Sequence, residues 1–178
     1  MSEKTELSPV FLKQMKNTVD RILNVPGNYT KGKILEMTVV IDKNLSKEAV
    51  SMLLPELLRT LKLHDKVFQN VRFHAVYWET DERPKDLVLP MTMAVMEGFY
   101  EDYRQEAGQK SVSRLAQYLT VFHARSKLII LLTEGNFMEE EREEVKKSMQ
   151  PFLEKKMMTV LVKEGSLGQT PVVGYREW

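Results

Sequence analysis

Asp42, Asn44 and Ser46 alternate over five positions directly after the apolar, β-branched run Ile34 to Ile41. Two further polar groups occupy comparable places: Ser113, at the head of a second apolar-periodic stretch, and Thr133-Glu134, directly after Lys127-Leu-Ile-Ile-Leu-Leu132. A carboxylate, an amide carbonyl and hydroxyls are hard oxygen donors, and such groups suit three tasks. They cap turns and helix N-termini; two carboxylates such as Asp42 and Glu134 can act as an acid/base pair; or the same oxygens can hold magnesium for phosphoryl chemistry.

The rest of the chain adds little to a catalytic reading. It carries no nucleophile motif and no paired histidines, and His74 reads as a strand residue with no second histidine near it in sequence. Gly27-Asn-Tyr-Thr-Lys-Gly32-Lys33 has the glycine and lysine spacing of a phosphate loop. Such a loop must follow a strand, open a helix and place a hydroxyl after its lysine. Here a helix precedes, a strand follows and Ile34 stands in the hydroxyl position, so the segment reads as a turn.

These groups need elements to position them. Val10, Phe11, Met15, Val19, Ile22 and Leu23 repeat at three and four residues, which predicts a helix over 8–25 that Pro26-Gly27 ends. Ile34 to Ile41 reads as a central strand, buried on both faces. Ser46 caps a helix to Leu63, with a kink or a break into two shorter helices at Pro55. Val71 to Trp78 is a strand, and Thr80 to Pro90, charged and holding two prolines, a loop. Thr92 to Glu106 reads as a helix ended by Gly108, and Leu115, Ala116, Leu119, Val121 and Phe122 as the apolar side of another, capped by Ser113 or Ser111. Lys127 to Leu132 is a strand. The acidic run Glu139 to Glu144 opens a helix finishing at Lys155-Lys156, the charge order its dipole favours. Met158 to Val162 is a strand and Pro171 to Tyr175 holds a short edge strand. The methionines fall mostly at core spacings and read as packing material.

Strands alternating with helices predict an α/β fold: a doubly wound, mostly parallel central sheet with helices on both faces, a Rossmann-like three-layer arrangement. In such a sheet the three polar turns can converge at the carboxyl edge. The expected division is residues 1–32, a helix and linker packed on the domain, and residues 33–178, the α/β domain itself. At 178 residues one domain buries roughly 70% of its unfolded surface. No Gly-x-Gly-x-x-Gly follows a strand, which argues against a dinucleotide cofactor. With 26 basic and 25 acidic side chains, net +1, no basic face stands out, so nucleic acid is not an expected partner. Met-Ser-Glu-Lys-Thr-Glu lacks a signal-peptide profile, no apolar run reaches the roughly 18 residues of a membrane helix, and there is no cysteine. Cytoplasmic location without membrane insertion is the expectation.

Asp42-Lys-Asn44-Leu-Ser46, Ser113-Arg-Leu-Ala-Gln-Tyr-Leu119 and Leu131-Leu-Thr133-Glu134-Gly135 resemble, in order and spacing, the three loops of a von Willebrand factor A domain. Pro90-Met-Thr92 is similar to that family's Pro-Leu-Thr, and the likeness covers about residues 33 to 164. The family's first loop reads Asp-x-Ser-x-Ser, its second supplies Thr and its third Thr-Asp-Gly. Asn44, Ser113 and Glu134 therefore depart from the pattern, while Asp42 and Ser46 keep it.

The resemblance implies a degenerate metal-ion-dependent adhesion site in which Mg2+ is held by Asp42, Asn44, Ser46, Ser113 and Glu134. Ser46 and Ser113 would be direct ligands, Asp42 and Glu134 would hold coordinated waters, and the cation would meet an acidic group on a protein partner. Where metal is lost, Lys43 can supply positive charge instead. Non-enzymatic protein binding is thus the leading expectation. The alternatives are a Mg2+-dependent phosphoryl-transfer or hydrolytic enzyme, and a metal-free subunit that forms a homo-oligomer through its helical faces.

Overall fold

The computed structural model describes residues 13, 16–17, 19–21, 35–62, 71–78, 85–89, 103–106, 112–133, 157–161 and 172–173. Strand β1 (Leu35–Asp42) is the middle of the architecture, and all of its residues except Glu36 are buried. Strands β2 (Val71–Trp78) and β4 (Leu128–Thr133) run parallel to it on either side, with Thr38 level with both His74 and Ile129. Strand β5 (Met157–Leu161) continues the parallel set beside β4. The edges are antiparallel: β3 (Lys85–Leu89) on β2 and β6 (Val172–Val173) on β5. The six strands follow the order β3-β2-β1-β4-β5-β6, a mostly parallel α/β sheet.

Side chains alternate across a strand with a period of two, so the register sorts the core into two faces. On one face Val40, Val76, Trp78, Ile129 and Leu131 meet Leu115, Ala116, Tyr118 and Leu119 of helix α2 (Val112–Phe122). On the other, Leu35, Met37, Val39, Ile41, Phe73, Ala75, Ile130 and Leu132 are also buried. β1 and β4 therefore offer no face to water, which is why they read as near-continuous apolar runs.

Helix α1 (Lys47–Lys62) follows β1 and is amphipathic, with Ala49, Val50, Leu53 and Leu54 buried and Lys47, Glu48 and Ser51 exposed. Ser46 starts it: the Ala49 N–H donates to the Ser46 hydroxyl (3.1 Å) and the Val50 N–H to the Ser46 carbonyl (3.1 Å). Glu48 in the first turn suits the positive end of the dipole. One helix runs through Pro55 in place of two shorter ones. The carbonyl that loses its partner there belongs to Ser51, on the exposed side where water is at hand.

Several expectations change. Within the expected loop from Thr80 to Pro90, Lys85–Leu89 is a strand; the prolines at 84 and 90 bracket it at a sheet edge, where proline is tolerated. Residues 103–106 have no helical structure, so the helix expected to reach Glu106 does not, and residues 92–102 lie outside the described part. Val121 and Phe122, expected in the core, are 70% and 51% exposed, and Tyr118 takes that role. α2 begins at Val112, so Ser113 sits inside its first turn and not ahead of it. Residues 13, 16–17 and 19–21 are helical and Val19 is buried, in keeping with a helix over 8–25 as far as it is described. The linker after it and the helix expected from Glu139 to Lys156 lie outside the described residues. Among the described residues no helix is long and apolar enough to cross a membrane.

Candidate functional site at the carboxyl ends of β1 and β4

From β1 the chain builds outward to β2 and β3; from β4 it builds the opposite way to β5 and β6. The order therefore reverses between β1 and β4, the place where open α/β sheets open a crevice beyond their carboxyl ends. Asp42 ends β1 and Thr133 ends β4. The Thr133 hydroxyl donates to Asp42 Oδ2 at 2.6 Å, closing that junction. The other carboxylate oxygen, Oδ1, accepts the Asn44 backbone N–H at 2.8 Å, the two-residue side-chain turn that aspartate forms readily. Asp42 is 1% exposed and Thr133 is fully buried.

The turn is fixed from above by residues 103–106. The Tyr103 hydroxyl lies 2.6 Å from the Leu45 carbonyl and 3.2 Å from that of Asp42, which also accepts the Leu45 N–H at 3.0 Å. Gln105 Nε2 donates to the Asn44 carbonyl (2.8 Å) and the Glu106 N–H to the Lys43 carbonyl (2.8 Å). Every carbonyl from Asp42 to Leu45 thus has a donor, which fixes the backbone of the turn. The Lys43 N–H reaches the Trp78 carbonyl at 3.2 Å, and the Tyr77 and Tyr103 rings lie 5.9 Å apart. Lys43 Nζ stands 3.4 Å from Glu106 Oε2, and with Glu106 59% exposed this pair contributes at most about 1 kcal/mol. Part of the Lys43 charge that could replace a metal is thereby offset.

The structure places Asp42, Asn44 and Ser46 within one turn and adds Thr133. The Ser113 side chain and Glu134 lie outside the described residues. Tyr103 and Gln105 were not singled out as site residues by sequence, and Thr133 was named with Glu134 as the polar group after an apolar run but not as a metal ligand.

The donor set fits Mg2+ in kind: carboxylate, amide and hydroxyl oxygens, with no sulfur or imidazole. Each Asp42 oxygen accepts one hydrogen bond from the groups named, and a carboxylate oxygen carries two lone pairs. The Ser46 hydroxyl, used as acceptor by the helix cap, likewise has a second lone pair. Among the described residues no group of three His, Asp or Glu side chains could hold a metal ion. A cation there would depend on hydroxyl and amide oxygens.

A second polar cluster lies on the same face, further toward the amino ends. The Thr38 hydroxyl is 2.5 Å from the Ser126 hydroxyl and 3.2 Å from His123 Nδ1. The His123 ring meets His74 edge-on, centroids 5.1 Å apart, and Tyr118 at 5.5 Å. His74 is the strand residue the sequence predicts, but its histidine neighbour comes from 49 positions away. Thr38, His123 and Ser126 are each at most 2% exposed, so this cluster ties the α2–β4 turn to β1 behind a sealed surface.

No protein-family model matches the chain, and no curated protein matches it.

Proposed function

We propose that the chain is a non-enzymatic protein-binding module of von Willebrand factor A type, doubly wound, acting in the cytoplasm and docking its partner on the carboxyl-edge turns around Asp42. The observation that carries the reading is the hydrogen bond from Thr133 to Asp42 at the junction where strand order reverses. It ties together two strand ends that are 91 positions apart in sequence, and the resemblance sets its first and third loops directly after these two strands.

In this reading Asp42, Asn44 and Ser46 hold Mg2+ together with Ser113 and Glu134. The bound ion supplies an electrophilic centre for a carboxylate of the partner. The protein's own task is orientation. The Asn44 N–H and Thr133 hydroxyl fix the Asp42 carboxylate, while Tyr103 and Gln105 hold the turn at the atoms given above.

Isothermal titration with Mg2+ and Mn2+ tests the site on the wild type, Asp42→Asn and Ser46→Ala, with circular dichroism as the control for folding. Saturable heat from the wild type that both folded variants lose is the expected result, together with capture of a protein partner by the wild type alone. Equal titration curves for wild type and variants, or capture that both substitutions leave unchanged, would overturn the assignment.

A further inference from the structure

The opposite end of the same strands has a different chemistry. β1, β2 and β4 are parallel, so their amino ends share one edge, and there Glu36 is level with Arg72. Lys127 immediately precedes β4 and its N–H donates to the Glu36 carbonyl at 2.8 Å. Glu36, Arg72, Ala124, Arg125 and Lys127 line a cleft of about 380 Å³. Three cationic groups face one carboxylate, a local excess of two positive charges in a chain whose total is +1.

The cleft is also held in shape. Arg72 Nη1 donates to Glu36 Oε1 at 3.1 Å, which uses one of five guanidinium N–H groups and orients the planar fork. Beneath it, Thr38 bonds to Ser126 and His123, and the Ser126 N–H donates to the His123 carbonyl at 3.1 Å. The turn that carries Arg125 and Lys127 is therefore anchored on both sides by buried or backbone contacts. Cations gathered in a concavity concentrate anions there, and a preset guanidinium fork matches paired oxygens.

We propose that this cleft binds a small multivalent oxyanion, of the phosphoryl or polycarboxylate class, between Arg72, Arg125 and Lys127. The site is separate from the Asp42 turn and does not rest on the function assigned to it.

Inorganic phosphate, pyrophosphate and citrate, titrated calorimetrically at constant ionic strength, test it on the intact chain. Pyrophosphate or citrate is expected to bind saturably, with affinity lowered about tenfold or more by Arg125→Ala with Lys127→Ala, and lowered by added salt. Tighter pyrophosphate identifies a phosphoryl ligand, and tighter citrate a polycarboxylate. Arg125→Glu, a single change at an exposed position, gives the same loss in a chain whose dichroism matches the wild type. The proposal is overturned by the absence of saturable binding of all three probes up to about 10 mM, or by equal binding to wild type and folded variants.

Discussion

The two ends of β1 differ in how their charged groups are accommodated. At the carboxyl end Asp42 is sealed from water, both carboxylate oxygens accept hydrogen bonds, and the neighbouring carbonyls are all bound. At the amino end Glu36 and Arg72 pair at 3.1 Å with side chains 18% and 46% exposed, beside further cations in an open cleft. Burial makes the first end sensitive, because removing one partner strands another without water to replace it. The second end can lose a partner to solvent. Equal substitutions on one strand should thus have unequal consequences.

The largest effect is expected for Asp42→Ala, which leaves the Thr133 hydroxyl and the Asn44 N–H without their acceptor: about 3 kcal/mol of stability, read from the midpoint of urea unfolding at unchanged slope. Tyr103→Phe removes the donor that the Leu45 carbonyl uses while leaving the Asp42 carbonyl its bond from Leu45. A loss of about 1–2 kcal/mol in the same assay would sharpen the contrast. Ser46→Ala deletes the cap of α1 and should cost about 1 kcal/mol, seen as lower thermal stability. At the other end Glu36→Gln should shift stability by no more than about 0.5 kcal/mol, and less at high salt. A loss at Glu36 as great as that at Asp42 would break the comparison.

The carboxyl end was the more legible of the two because its signal is local. An apolar run followed by Asp42, Asn44 and Ser46 within five residues announces a strand end and a helix cap, and the observed strand is offset by a single residue, Leu35–Asp42. The amino-end cleft gives no such signal. Arg72 and Arg125 lie on separate elements, and a net charge near zero hides their meeting.

The reading of Thr92 to Glu106 as a helix fails at residues 103–106 for a related reason. Aromatic spacing suited to a helix cannot reveal that residues 103–106 leave that pattern to cover a turn 60 positions earlier. β3 was missed because two prolines and adjacent charges outweighed Leu87-Val-Leu89, although proline is excluded only from inner strands. His74 and His123 meet only once the helix after β3 returns the chain to β1.

Glu36 and Asp42 belong to one strand, six positions apart, which at about 3.3 Å per residue sets roughly 20 Å between them. That strand cannot slide, since a shift of one position would drive Thr38 into the apolar layer and pull Met37 and Val39 out of it. β1 therefore works as a rigid ruler. If both proposed sites are filled, their ligands are kept at a constant spacing and are not drawn closer.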